Sequence, residues 1–103
     1  MLIVTTDSIA DRKIVKVLGL VKGSTVRSKN IGKDIGAGLK GIVGGELNAY
    51  TEMLTESRQI AIGRMVEEES MGANAIVALR LQSAAVMQGA AEMVAYGTAV
   101  VIE

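Results

Sequence analysis

With 103 residues, a formal net charge of zero, no cysteine and no histidine, the chain has room for one domain, residues 1–103, and lacks the two side chains that most often hold zinc or copper. The same absences remove disulfides, thiol nucleophiles and the commonest general base at neutral pH. Half of the residues are hydrophobic and mean hydropathy is +0.38, more apolar material than 10.8 kDa is expected to hide alone, which points to burial against further copies of itself.

No apolar run reaches the roughly 18 residues that a membrane span needs. The opening MLIVTTDS lacks the basic start and long apolar centre of a secretion signal, so the expected compartment is the cytoplasm. Charge is unevenly spread. Residues 1–40 carry eight basic and three acidic side chains, a net +5, and residues 41–103 carry three basic and eight acidic, a net −5. Complementary halves within so small a unit are expected to face each other or neighbouring subunits.

In chain order, Leu2 to Thr6 is a β-branched run that reads as a strand, ending in the turn-forming Thr5-Thr6-Asp7-Ser8. Ile9 to Lys13 is a polar connection. A longer strand is expected from Ile14 to Val26, bent or bulged where Gly19 and Gly23 interrupt it. Lys29 to Glu46 then holds six of the twelve glycines, yet Ile35, Leu39, Ile42 and Val43 recur at helical spacing. This predicts a short glycine-rich helix capped by Ser28 or Asn30, held by packing because each interior glycine costs about 0.5–1 kcal/mol relative to alanine.

A second, long helix is predicted from an Asn48 cap through Met71, closed by Gly72. Tyr50, Met53, Leu54, Ser57, Ala61, Met65 and Glu68 trace one face. Ile60, Ile62 and Val66 lie off it and suit an interface. Ala75 to Val86 reads as a strand with Val77, Leu79 and Leu81 on one side and Arg80 and Gln82 on the other, followed by a loop at Met87 to Ala91 and a strand from Glu92 to Ile102. The expected fold is α+β, in the order β-β-α-α-β-β, with a mainly antiparallel sheet and both helices on one face.

Chemistry is sparsely written in the residues. Gly36 to Gly41 fits G-x-G-x-x-G, with Lys33 and Lys40 near enough for phosphate, but no strand leads directly into it and no Gly-Lys-Ser/Thr occurs. A nucleotide- or phosphate-binding protein is therefore the alternative reading. Asp7, Asp11, Asp34, Glu46 and the run Glu67 to Glu69 would suit a hard cation such as Mg, Ca or Mn, against the plainer reading of solvated charges. With Tyr50 and Tyr96 as the only aromatics, stacking platforms for nucleic acid are scarce, and no catalytic pairing is legible.

Several blocks together carry a resemblance: Ile3-Val4-Thr5-Thr6 at the start, Asn30-Ile31, Lys33-Asp34-Ile35, Ala37-Gly38 and Ile42-Val43-Gly44-Gly45, then Tyr50, Met71-Gly72-Ala73-Asn74-Ala75 and Tyr96-Gly97-Thr98-Ala99-Val100. Over nearly its whole length the chain resembles the YbjQ-like family, which carries a heavy-metal-binding label. The resemblance implies a small α+β subunit assembled into a ring, a pentamer, and implies no enzyme. Asn74 stands where Asp is frequent in that family. Without Cys or His, a soft-metal site would have to come from methionines and carboxylates.

The leading expectation is a ring-forming, non-enzymatic, cytoplasmic protein that binds a small ligand or metal ion at a subunit junction. Its binding residues are expected at Asn30, Lys33, Asp34 and Glu46, with Thr5, Thr6 and Asp7 as a second set. Its partner is itself, with no membrane and no nucleic acid. A purely structural oligomer is the further alternative.

Overall fold

The computed structural model describes residues 1–27, 48–69, 71–87 and 90–103. Its elements are β1 (Leu2–Ile3), β2 (Ile14–Arg27), α1 (Asn48–Glu69), β3 (Ala75–Met87) and β4 (Ala90–Ile102). The four strands form a single sheet in the order β1-β3-β4-β2. β3 and β4 are an antiparallel hairpin, β2 is antiparallel to β4, and β1 runs parallel to β3, so the sheet is mixed. Among the described residues the order is β-β-α-β-β. The glycine-rich helix expected over 29–46 lies outside them.

β2 is one strand, as its β-branched content predicts, and it is bent where glycine allows. Its register against β4 slips twice, between Ile14 and Lys16 and between Val17 and Gly19, leaving Val15 and Leu18 as extra residues, with Gly19 at φ +120°. From Leu20 to Arg27 the pairing is regular. Gly23 has a different task. A Cβ there would fall within contact of the Met65 backbone nitrogen, the Ala61 carbonyl and the Arg64 backbone, so only glycine lets α1 lie this close to the strand.

α1 packs chiefly over β2 and secondarily over β4. Ser57, Ala61 and Met65, four residues apart, are its buried line, and Met53 is half-buried on the same side. The Ser57 hydroxyl is kept off the apolar core by donating to the Met53 carbonyl at 2.8 Å. Ile62 and Val66, expected to be left over for an interface, instead pack against this same core with Val21, Ile76, Met93, Ala95 and Ala99. Gly72, at φ +83°, stands just beyond the helix as expected.

The strict alternation expected of β3 fails at one place. Between the pairs Val77 with Thr98 and Arg80 with Tyr96, two residues of β3 oppose only Gly97, and Ala78 sits at φ +55°. The bulge sends Val77 and Leu79 to opposite faces. Leu79 packs on the helix-side core, while Val77 joins Ala75, Val100 and Ile102 in a second cluster. That cluster is covered by Val4 and Ile9 from the N-terminal segment and by Ile14 at the start of β2, so the sheet has an apolar cluster on each face.

Candidate functional site

Thr5, Thr6 and Asp7 fall in an exposed bend after β1 that is fastened to the β3 bulge. The Ala78 N–H donates to the Thr6 carbonyl at 2.8 Å and the Leu79 N–H to the Val4 carbonyl at 3.0 Å. Thr6 Oγ1 donates to the Ser8 carbonyl at 2.6 Å. Arg80 Nη1 donates to the carbonyls of Thr5 at 2.9 Å and Leu79 at 2.8 Å. The carbonyls of Thr5 and Thr6 and the Thr6 hydroxyl thus hold the bend, and Asp7 is exposed beside them. Asn30, Lys33, Asp34 and Glu46 lie outside the described residues.

The bend leads to a feature that single-residue reading missed. Arg80 stands opposite Tyr96 in the hairpin register, and Tyr96 stands opposite Lys22 on its other side. Tyr96 and Lys22 edge a cavity of about 390 Å³ on the sheet face turned away from α1, with Leu20, Ala84 and Val94 as apolar floor and Gln82 and Glu92 at the rim. Its size sits at the small end of ligand pockets, and an apolar floor with a few polar groups is the usual composition. A second cavity of about 40 Å³, beside Thr25, Met53 and Ser57 under the helix, has room for little beyond one water. Only the register brings Lys22, Tyr96, Gln82 and Glu92 together, and the register turns on the Ala78 bulge, for which alanine gives no sequence signal.

A heavy metal fits this donor set poorly. The chain has neither cysteine nor histidine, and among the described residues no three acidic side chains come together. Met65 and Met93 are buried in the helix-side core. No step through a metal can be derived from these residues.

In class, the described residues form a two-layer α+β fold, one helix on a mixed four-stranded sheet whose other face bears a cavity. The chain belongs to the YbjQ family, whose model matches residues 1–103 and is described as "putative heavy-metal-binding". It is 70% identical over 104 residues to a UPF0145 protein of Clostridioides difficile, covering 100% of this chain and 93% of that one. It is 56% identical over 104 residues to a UPF0145 protein of Dehalococcoides mccartyi, with both chains covered in full. A UPF0145 protein of Methanosarcina acetivorans is 55% identical over 103 residues, covering 99% of this chain and 97% of the relative.

Proposed function

We propose that the chain is the subunit of a homo-oligomeric ring of five that holds a small ligand between subunits and catalyses no reaction. The observation that carries this is extension. The radius of gyration is 16.9 Å, against about 13 Å for a compact chain of this length. Its accessible surface of 6763 Å² exceeds the roughly 5,500 Å² of a compact monomer of its mass. Leu20 and Val17 are 69% and 64% exposed and Met71 is 88% exposed, so the excess is in part apolar and favours covering by further copies.

The open-face cavity supports the ligand half of the reading, because a neighbouring subunit laid along that face would convert an open trough into a closed junction site. Leu20, Ala84 and Val94 would meet the apolar part of the ligand, and Tyr96, Gln82 and Glu92 its polar groups. The donor set favours an organic ligand over the heavy metal of the family description. Any metal bound would be a hard cation on carboxylates, for which Asp7, Asp34 and Glu46 remain the candidates.

Native mass spectrometry of untagged protein tests both halves. A mass of five times 10.8 kDa with a co-purified small molecule is the expected result. A monomer at all concentrations ends the ring. A bare assembly that takes up no ligand and gives no thermal shift with an organic-acid or nucleotide panel ends the junction site. Stoichiometric retention of Zn or Cu would reverse the preference over heavy metal.

A further inference from the structure

We propose that the cavity on the open sheet face takes an organic amine, a protonated amino group on an apolar carbon skeleton, with Glu92 as its counter-charge. The inference rests on the ligand half of the reading above and names the chemistry of that ligand. Strand register sorts the face into rows. Arg80, Tyr96 and Lys22 form one row across β3, β4 and β2; Gln82, Val94 and Ser24 form the next; Ala84, Glu92 and Val26 form the third. These rows share a face because residues two apart along a strand point the same way. Tyr96 and Glu92, four residues apart, stand about 13 Å from each other along β4.

The third row holds a charge without an answer. Glu92 is half-buried, and its in-register neighbours, Ala84 and Val26, bring neither a cation nor a side-chain donor. Its carboxylate makes no hydrogen bond or ion pair among the described residues, and the same holds of the Tyr96 hydroxyl and the Gln82 amide. A carboxylate partly withdrawn from water calls for a cation or donors against it, and here the space in front of it is the cavity of about 390 Å³. An ammonium seated there would donate to Glu92 by charge-assisted hydrogen bonds, with the Gln82 amide oxygen in the adjacent row as a further acceptor. The other end has the opposite character. Arg80 and Lys22 flank Tyr96, so positive charge at that end turns an ammonium toward Glu92. Val94 and Ala84 are apolar floor for the skeleton, and the Tyr96 ring is an aromatic edge for its far end. An anionic ligand fits less well. The Arg80 guanidinium already donates to the Thr5 and Leu79 carbonyls, Lys22 has an interaction of its own, and an anion would leave Glu92 unanswered.

Three probes of one shape and different charge test the assignment: phenylbutylamine, phenylbutyrate and phenylbutanol, titrated calorimetrically into the untagged protein at neutral pH. The expected result is that the amine binds at least about tenfold more tightly than the other two, and that Glu92→Gln, which keeps the side chain's size, abolishes the preference. Should Glu92→Gln fail to fold by circular dichroism, Val26→Lys carries the test, because it sets a cation beside Glu92 in the register and should likewise abolish the preference. Glu52→Gln, which removes an exposed carboxylate from α1, should leave it unchanged. Equal affinity for the three probes, tighter binding of phenylbutyrate, or an amine preference that survives the Glu92 and Val26 variants overturns the amine assignment while leaving a ligand site standing. Binding of none of the three overturns it as well, and the junction site then stands or falls by the co-purified mass alone.

Discussion

Asn74 shows how much one side chain can tie together. Its amide Nδ2 donates to the Ile102 carbonyl at 2.8 Å while its Oδ1 accepts from the Ile102 N–H at 2.7 Å, and its own backbone bonds Val100 at 3.2 Å and Leu2 at 3.4 Å. The side chain thus imitates a peptide unit and joins β1, β3 and the end of β4. A carboxylate can accept in this arrangement but cannot donate. Asn74→Asp should therefore cost about 0.5–1.5 kcal/mol at neutral pH, measured by urea unfolding. Because only the protonated acid can donate to the Ile102 carbonyl, the introduced carboxyl would have a folded pKa raised above its unfolded one. The deficit should be full above that raised value and shrink as pH falls through it. A penalty independent of pH would mean that the amide's donor is not what holds Ile102.

Two glycines separate packing from propensity at the level of elements. Gly63 lies inside α1 with open space where a Cβ would go, so Gly63→Ala should stabilise by about 0.5–1 kcal/mol through helix propensity alone. Gly23 lies where α1 presses its backbone on β2, so Gly23→Ala should cost about 3 kcal/mol or more and loosen the helix from the sheet. Opposite signs from the same substitution, read in one set of thermal melts, are the expected outcome; a mild effect at Gly23 would mean that helix and strand are not in that close contact.

The elements also show where sequence stopped being informative. The span of α1 and its buried line Ser57, Ala61 and Met65 were legible because helical spacing and a closing glycine agree. The deformation of β2 at Gly19 was legible because a glycine inside a β-branched run weakens the strand unless the backbone has to deform there, whereas the slip at Val15 has no glycine to announce it and Gly23 lies in regular pairing. The β3 bulge was not, since alanine at positive φ leaves no trace in composition, and with it went the true faces of Val77 and Leu79. The cavity under Tyr96 was lost for the same reason: its residues come from three strands and meet only once the register is known. Of the candidate residues named from sequence, Thr5, Thr6 and Asp7 share the exposed bend after β1.

At the scale of the molecule, the sheet around Ala75, Val77, Val100 and Ile102 has a further apolar layer from Val4, Ile9 and Ile14, whereas the face bearing Leu20, Gln82, Val94 and Tyr96 is an open cavity among the described residues. One side chain straps the helix to the outer strand: the guanidinium of Arg64 reaches across from α1 and donates to the Ser24 carbonyl of β2 at 2.7 Å. Arg64→Ala should accordingly loosen the two layers and lower stability by about 0.5–1.5 kcal/mol in a urea melt, and an unchanged midpoint would strip Arg64 of this role.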